Sequence, residues 1–336
     1  MVSSSVMKRI GLLGAGTVGT ALAQLLEHHS DKAQISKALV RDMSKERTGI
    51  EASVLTTNAS EALDADILVE LMGGTTRAGD LLLEFLAQGK PVVTANKAVL
   101  AERWNEFLPY LQRGLVHFEA AIMAGTPVVG PLTNVLRGSQ PIELHAILNG
   151  TCNYILSELE KGEQYPKALA EAQRLGYAEA DPSLDVGGYD AAHKLTVLAR
   201  LVFDPDLSWE TVHVNTTGIE SLTPEKMRGA VDVGGHIRLL GSVFPQNGDW
   251  QIKVRPVFLP DSHPMAGSAS NRNALYFRGD AVGEVLITGA GAGGMPTASG
   301  VLGDVLNALA NRPGPALLPK AVSVAEQSVS VLEEVQ

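Results

Sequence analysis

The chain has 336 residues, of which 45% are hydrophobic and 19% are charged, enough for two domains that each bury a core. Its net charge of −10, without any long run of Lys or Arg, argues against sequence-independent nucleic-acid binding. No apolar run reaches the length of a membrane-spanning helix. The single cysteine, Cys152, excludes an intrachain disulfide and fits a reducing compartment. We therefore predict a cytoplasmic protein whose partners include neither nucleic acid nor membrane.

Residues 9–22 join a short apolar run to a helical pattern through a glycine-rich turn. The apolar run at 10–13 predicts a buried parallel strand, and three glycines in the spacing G-x-G-x-x-G follow it: Gly14, Gly16 and Gly19. The first glycine permits a tight turn, the second lets a pyrophosphate approach the backbone, and the third lets the helix pack closely on the strand. The N-terminus of that helix offers N–H groups to the anion. The pattern predicts a dinucleotide-binding turn.

A secretory signal peptide is the alternative interpretation of this segment. Basic residues at 8–9 precede the apolar run, and 21–23 (ALA) resembles a cleavage site. Export segments seldom carry glycines at turn-forming spacing, and the rest of the chain continues the nucleotide-binding pattern. We favour the strand–turn–helix interpretation.

Strand and helix signals alternate through the first third of the chain. Buried strands are predicted at 34–40, 65–71, 91–95 and 116–121, and helices at 78–88 and 98–113. Such alternation predicts an α/β fold with a Rossmann-type, doubly wound parallel sheet. In such a sheet, ligands bind beyond the carboxyl ends of the strands.

The pattern changes from about residue 135. Period-two alternation predicts strands at 142–148, 251–258, 275–278 and 282–288, and helices are predicted at 154–161, 165–175 and 189–201. We predict a dinucleotide-binding domain at 1–134, completed by a C-terminal helix at 297–318. A second α+β domain at 135–296, with a sheet open on one face, would bind the substrate and form the dimer.

The end of the second predicted strand bears on the choice of cofactor. A site for a ribose 2′-hydroxyl usually places Asp or Glu there, whereas a site for a 2′-phosphate places Arg. Arg41 comes first in this chain, and a guanidinium suits a phosphate bidentately. A solvated polar loop, which also holds Asp42, Lys45 and Arg47, is the alternative. We predict NADP as the preferred cofactor, with NAD tolerated.

Lys97 stands where a predicted strand ends and a helix begins. The helix dipole disfavours a cation at that position, so its presence suggests a negatively charged ligand nearby. A surface lysine that extends into solvent is the alternative.

Residues 176–194 hold the densest group of ionisable side chains. Four carboxylates lie in this segment: Glu179, Asp181, Asp185 and Asp190. Asp190 and Lys194 are four residues apart on a predicted helix, so they share a face. A dense acidic loop is typically just solvated, but Lys194 begins an apolar helical pattern. A partly buried lysine of this kind can act as a general acid.

The chain resembles homoserine dehydrogenase, the NAD(P)-linked enzyme that reduces L-aspartate 4-semialdehyde to L-homoserine in the biosynthesis of threonine, methionine and isoleucine. The matching segments run in family order over most of the chain: the glycine turn, 89–97 (GKPVVTANK), 118–127 (FEAAIMAGTP), 148–155 (LNGTCNYI), 176–194 and 289–299 (GAGAGGMPTAS). The block that ends at Lys194 and the GAGAG turn are more diagnostic than the dinucleotide glycines.

The resemblance implies a role for each matching residue. Lys194 would give a proton to the alkoxide, Lys97 would lie between nicotinamide and substrate, and Glu179 would hold the amino group of the amino-acid substrate. The substrate pocket would further include Gly150, Thr151, Gly176, Tyr177, Asp185 and Asp190. The cofactor would contact Gly14, Gly16, Thr17, Val18, Gly19, Arg41, Gly73, Ala95, Lys97 and Gly293. A monovalent cation, usually sodium, would bind, largely by backbone carbonyls, through Glu119, Ile122, Ala124 and Thr126.

The chain also departs from the family pattern. Ala121 and Ala124 stand where a hydroxyl residue and a glycine are common, and Cys152 replaces a threonine or serine. Many members carry a C-terminal effector-sensing domain, for which this chain lacks the length, so we expect a short form without threonine feedback through such a domain. The resemblance also implies a homodimer through the open sheet.

Two other functions compete with this interpretation. An acylating semialdehyde dehydrogenase would use Cys152 as its nucleophile, which requires an activated thiolate. A catalytically silent dinucleotide-sensing protein would keep the glycine turn and should lack the lysines, yet Lys97 and Lys194 are both present.

Overall fold

The computed structural model describes residues 7–323 and 332–335, and the chain divides into two compact units. The first takes the chain up to Gly130 together with Gly293–Leu317, and the second takes Pro131–Ala292 and the chain from Leu318. The chain crosses between the units three times: the first two crossings lie four residues before the domain boundaries predicted above, and the third lies one residue before the predicted end at 318. No helix in the described part of the chain is long and apolar enough to cross a membrane.

The first unit is built on a parallel sheet of six strands in the order β3-β2-β1-β4-β5-β6. This order confirms the predicted doubly wound α/β fold, because it reverses between β1 and β4. The strands are short and apolar, as expected of strands covered on both faces. They are β1 (Lys8–Leu13), β2 (Ala33–Leu39), β3 (Leu55–Thr56), β4 (Ile67–Glu70), β5 (Val92–Thr94) and β6 (Val116–His117).

Helices connect these strands, and a last helix, α13 (Gly294–Leu309), joins them from the far end of the sequence. Val301 and Val305 of that helix are fully buried in one core with Leu22 and Leu26. The other helices of this unit are α1 (Thr17–Leu26), α2 (Ala59–Leu63), α3 (Thr76–Leu86), α4 (Lys97–Glu102), α5 (Trp104–Leu111) and α6 (Ala120–Met123), with 3₁₀ turns at Glu27–His29 and Ala52–Val54.

Three predicted elements of this unit are wrong. The C-terminal helix predicted at 297–318 ends at Leu309, before Pro313, which cannot continue it. The helix predicted at 98–113 is interrupted at Arg103 (φ −113°, ψ 20°), whose guanidinium bonds to Glu106 and to the Thr76 carbonyl. The strand predicted at 116–121 ends at His117, and the chain turns into α6. There the Glu119 N–H donates to Asp304 of α13 at 2.8 Å, so it is not available to a sheet ladder.

The second unit holds an antiparallel sheet in the order β11-β10-β7-β8-β9-β12. Its strands are β7 (Pro141–Ile147), β8 (Gly235–Gln246), β9 (Asp249–Pro260), β10 (Arg272–Gly279), β11 (Gly283–Ala290) and β12 (Glu333–Glu334). Its helices are α7 (Gly150–Glu160), α8 (Tyr165–Arg174), α9 (Ser183–Val186), α10 (Tyr189–Val202), α11 (Trp209–Val214) and α12 (Pro224–Asp232), with a π turn at Pro131–Val135 and a 3₁₀ turn at Leu136–Gly138.

Close packing of α10 on this sheet places Lys194 in the interior. A Cβ at Gly241 of β8 would lie 3.2 Å from Leu195, the residue that follows the lysine. From Asp190 to Val202 every residue of α10 is buried. The helix therefore carries its acid–lysine pair beside the end of β7.

Candidate active site

The glycine turn after β1 has the geometry that its spacing predicts. Gly14 has φ +94°, and a Cβ there would lie 2.8 Å from the Leu71 carbonyl oxygen. A Cβ at Gly19 would lie 2.5 Å from the Gly14 oxygen, so α1 can approach the turn only without a side chain at that position. At Gly16 a Cβ would meet nothing within 4 Å. The space above Gly16 is therefore open to a ligand.

Gly16 is also the N-cap of α1, and no side chain caps the helix. Thr17, which is exposed, and Val18, which is half-buried, form the first turn. An uncapped helix N-terminus beside a residue without a side chain suits a pyrophosphate.

The loop after β2 contains two arginines whose surroundings differ. Arg47 donates to three backbone oxygens, those of Ala15 at 3.0 Å, Asp42 at 2.8 Å and Lys45 at 2.6 Å, and so ties the loop to the glycine turn. Arg41, at the strand end itself, is exposed. Of these two guanidiniums, that of Arg47 is therefore held by the backbone, whereas that of Arg41 is exposed.

A buried carboxylate organises the ends of β4 and β5. Glu70 is fully buried and accepts from the Gly73 N–H at 3.0 Å and from the Thr94 hydroxyl at 2.7 Å. Asn96 caps α4 and donates to the Gly74 carbonyl at 2.8 Å. Glu70 was not predicted as part of the site, whereas an Asn before a helical pattern, as at Asn96, is a recognised capping signal.

This network sets the backbone around three predicted cofactor residues. Gly73 is exposed with φ +71°, Ala95 is half-buried, and Lys97 is half-buried as the first residue of α4. Gly293, also exposed, has φ +131° and precedes α13 as its N-cap. The predicted cofactor residues Gly14 to Gly19, Arg41, Gly73, Ala95, Lys97 and Gly293 all belong to the first unit.

The second unit contains a buried lysine held by two acceptors. Lys194 is 9% exposed, and its Nζ donates to the Leu148 carbonyl at 2.7 Å and to Asp190 Oδ2 at 2.8 Å. An ammonium has three N–H bonds. Two are used within the described residues, and the third can meet a ligand oxygen.

Asn149 connects this lysine to the acidic loop. Its Nδ2 donates to Asp185 Oδ1 at 2.7 Å and to Asp190 Oδ2 at 2.8 Å, while its Oδ1 accepts from the Cys152 N–H and caps α7. The residue was not predicted as part of the site. The signal was available, because Asn149 precedes a helix that was predicted to start later, at 154.

Other predicted substrate residues cluster at the start of α7. Thr151 donates its hydroxyl hydrogen to the Tyr177 carbonyl at 2.6 Å, and the Tyr177 ring contacts Tyr154 edge-on. Gly150 begins α7 as a half-buried residue, and the exposed Gly176 has φ +75°.

Glu179 lies apart from the lysine network. It is exposed in the loop before α9, and its side chain makes no hydrogen bond or ion pair with residues 7–323 or 332–335. Only its backbone carbonyl is bonded, by Gln173 at 3.1 Å. Its carboxylate is therefore left to solvent or to a ligand.

The environment of Cys152 does not suit a nucleophile. The side chain is fully buried, its Sγ donates to the Asp185 carbonyl at 3.1 Å, and burial, followed by nearby carboxylates, raises the pKa of the thiol well above its usual value. A thiol in such surroundings stays protonated and unreactive. This geometry argues against the acylating alternative.

The loop predicted to bind a cation is tightly ordered around Glu119. The carboxylate accepts the backbone N–H groups of Val128 at 2.7 Å, Val129 at 2.8 Å and Gly130 at 2.7 Å. Much of its acceptor capacity is thus taken, and a cation would depend on backbone carbonyls. Within the described residues, no group of three or more His, Cys, Asp or Glu side chains could hold a metal ion.

The remaining predicted cation residues follow within this loop. Ile122 and Thr126 are buried, and Ala124, after the end of α6, has φ +54°. Such a conformation is typical of glycine. It explains why a glycine suits the position where this chain has alanine.

Comparison with known proteins matches both units. The family model described as homoserine dehydrogenase matches residues 127–306, and the model described as the homoserine dehydrogenase NAD-binding domain matches residues 14–118. A homoserine dehydrogenase from Bacillus subtilis is 36% identical over 318 residues, which cover 90% of this chain and 73% of the relative.

Solved structures agree with these matches. A homoserine dehydrogenase from Thiobacillus denitrificans superposes with a TM-score of 0.86 at 38% identity, covering 91% of this chain and 74% of that one. A hyperthermophilic archaeal homoserine dehydrogenase in complex with NADPH superposes with a TM-score of 0.76 at 26% identity, covering 92% of this chain and all of that one.

Proposed function

Because the chain belongs to the homoserine dehydrogenase family, oxidoreductases that act on a CH–OH group, we propose that it interconverts L-aspartate 4-semialdehyde and L-homoserine with Lys194 as the proton donor. The observation that carries this assignment is the Lys194 ammonium, which is buried, bound by two acceptors and left with one N–H for a substrate oxygen. An initial-rate assay of homoserine oxidation with each nicotinamide cofactor tests it directly.

The chemistry required of the protein follows from the reaction. The glycine turn at Gly14–Gly19 would hold the nicotinamide cofactor, which when bound in its reduced form would supply a hydride to the aldehyde carbon. The carbonyl oxygen then gains negative charge, which the Lys194 ammonium stabilises by its third N–H before donating the proton. Asp190 and the Leu148 carbonyl hold the nitrogen in place while that proton moves.

An amino-acid substrate carries both an ammonium and a carboxylate, so its site needs negatively and positively charged contacts. We assign the substrate's ammonium to the acidic loop, where the Glu179 carboxylate is exposed and Asp185 is half-buried beside Asn149. We assign to Lys97 a cationic role near the substrate and the nicotinamide. Gly150, Thr151, Gly176 and Tyr177 would line the pocket on the α7 side.

We propose NADP as the preferred nicotinamide cofactor, with Arg41 as the residue that binds the 2′-phosphate. The support is positional: Arg41 is exposed at the end of β2, while Arg47 is engaged with backbone oxygens. The archaeal relative in complex with NADPH is consistent with this preference.

Replacing Arg41 by alanine should raise KM for NADP by about tenfold and change KM for NAD by less than about twofold, since a charged hydrogen bond to phosphate is lost. Initial rates with each cofactor give the ratio of KM for NADP to KM for NAD. Lys45→Ala is the matched control, because Lys45 is an exposed neighbour in the same loop and should leave the ratio unchanged. An equal effect of Arg41→Ala on both cofactors would remove the phosphate-binding role.

We propose that the carbonyls of the 119–126 loop bind a monovalent cation such as sodium. The loop is anchored through the Glu119 carboxylate, which leaves the carbonyl oxygens as the available ligands. Exchanging sodium chloride for the chloride of a bulky organic cation, at constant ionic strength, should then lower the initial rate and the melting temperature. Identical rates and melting temperatures in the two salts would argue against the site.

A catalytically silent dinucleotide sensor is not favoured, because Lys97 and Lys194 are both present and the chain belongs to an enzyme family. It predicts tight NADPH binding without any nicotinamide reduction when homoserine is supplied. The same initial-rate assay separates the two functions.

A further inference from the structure

The two groups that accept hydrogen bonds from the Lys194 ammonium are each bound by an asparagine amide. Asp190 Oδ2 accepts from Asn149 Nδ2 at 2.8 Å, and the Leu148 carbonyl accepts from Asn273 Nδ2 at 3.2 Å. All five residues are buried, and all belong to the second unit. The ammonium is thus held by two acceptors, and each acceptor is held by an amide from another element.

These amides come from rigid positions. Asn149 is the N-cap of α7, and Asn273 is the second residue of β10. A lysine side chain has four rotatable bonds, and its ammonium rotates freely, so fixed acceptors are needed to aim the remaining N–H. An amide behind each acceptor limits how far that acceptor can move.

The second amide has a feature that packing alone does not explain. Asn273 is fully buried, yet its Oδ1 has no hydrogen-bond partner among the described residues. It lies against Gly291, where a Cβ would be 2.3 Å from that oxygen. A buried amide with one unsatisfied end costs stability relative to an apolar side chain of the same shape. Asn153 of the same unit also has a buried Oδ1 without a partner among the described residues, so what distinguishes Asn273 is its acceptor, the carbonyl that also binds Lys194.

We propose that Asn149 and Asn273 are positioning residues that aim the Lys194 ammonium through Asp190 and the Leu148 carbonyl. This inference rests on the proposed function of Lys194 as proton donor. Neither asparagine needs to touch the substrate or the cofactor for this role. Its signature is a loss in kcat at unchanged KM for the cofactor.

The test uses one variant for each of the two acceptors of the ammonium. Asn273→Leu removes the N–H bond to Leu148 at nearly constant volume, and Asn149→Ser keeps an oxygen that can cap α7 while losing the reach to Asp190. We expect each variant to lower kcat by about tenfold or more with KM for the cofactor within about twofold, since small misplacements of a catalytic group are costly. KM for homoserine should also stay within about twofold in Asn273→Leu, whereas Asn149→Ser loses the bond to Asp185 as well and should raise it.

A third variant, the conservative substitution Asn273→Asp, should recover kcat at low pH. In Asn273→Asp, the buried carboxyl is neutral at the acid end of the assay range and can then donate an O–H to Leu148, whereas its ionised form offers only acceptors. Its kcat relative to wild type should therefore approach one at low pH and fall as pH rises. The corresponding ratio for Asn273→Leu should stay low at every pH. A residue that only packs the core would give no such pH dependence.

Asn153→Leu is the matched control. Asn153 is a buried amide in the same unit that donates to the Ser268 and Arg272 carbonyls and touches neither Lys194 nor its acceptors. It should lower the melting temperature while kcat per folded enzyme stays within about twofold of wild type.

The outcomes separate the inference from the proposed function. Wild-type kcat in both Asn273→Leu and Asn149→Ser, or an equal loss in Asn153→Leu, overturns the positioning role. If Lys194→Ala keeps turnover within about tenfold of wild type, the proposed role of Lys194 as proton donor fails, whatever the asparagine variants do. If Asn273→Leu does not fold, the pH dependence of Asn273→Asp decides in its place.

Discussion

Lys194→Ala is expected to lower kcat for homoserine oxidation by roughly 10³-fold, because both charge stabilisation and proton transfer at the substrate oxygen are lost. Cofactor affinity should stay within about twofold, since the glycine turn belongs to the other unit. Steady-state rates and fluorescence titration with NADPH measure the two quantities. The variant leaves Asp190 buried without its cation, so the free energy of unfolding should fall by about 3 kcal/mol. Rates must therefore be normalised to folded protein.

Two further substitutions control this experiment. Lys194→Arg keeps the charge but replaces the ammonium with a guanidinium, which hardly releases its proton, so turnover should stay low. Lys161→Ala removes an exposed lysine that pairs with Glu158 and should leave kcat unchanged. Turnover in Lys194→Ala within about tenfold of wild type would exclude a general-acid role.

Gly16→Ala should weaken cofactor binding without loss of stability, whereas Gly19→Ala should mainly lower the stability of the fold. An alanine Cβ at Gly16 meets nothing within 4 Å, so the protein should fold normally while KM for both cofactors rises by at least about tenfold, since the methyl group takes the space of the pyrophosphate. An alanine Cβ at Gly19 would lie 2.5 Å from the Gly14 oxygen, which should cost about 3 kcal/mol of stability.

Urea denaturation and NADPH titration on the same preparations separate these effects. Normal cofactor binding by a folded Gly16→Ala protein would show that the open space above the turn is not the pyrophosphate site. Wild-type stability of Gly19→Ala would show that the turn can move away from α1. Each variant serves as the control for the other.

Much of the parallel unit could be predicted because its signals are local. Apolar runs bounded by glycine or polar residues predicted β2, β4 and β5 to within about three residues at each end. The interrupted helix at Arg103 could not be predicted this way, since the contacts of its guanidinium join residues distant in sequence. The early end of β6 depends on Asp304, which lies 185 positions from Glu119.

The antiparallel unit was predicted less completely, and β8 was missed altogether. Its turn into β9 contains Asn247 and Gly248, with φ of +54° and +85°. Asn-Gly between two strands is the strongest local hairpin signal, so β8 was predictable from the sequence. The helices α11 and α12 follow Ser208 and Thr223, which cap them, and those signals were also available.

The candidate site likewise contains residues that could be predicted from local sequence and residues that could not. Lys194 and Asp190 were predictable as partners because helical spacing alone places them on one face. The support from Asn149 and Asn273 was not predicted, since it depends on where the ends of β7 and β10 meet. Glu70 could not be inferred either, because a lone glutamate at the end of a strand gives no sign that it is fully buried.

The position of α13 in the sequence has a consequence for synthesis on the ribosome. The helix packs into the core beside α1, yet more than half of the chain must be translated after β6 before α13 emerges. Until then a nascent first unit exposes the apolar surface that Val301 and Val305 later cover. Folding of the nucleotide-binding half is therefore expected to finish late, after the intervening unit has been made. A fragment that ends at Gly130 should need help to stay monomeric.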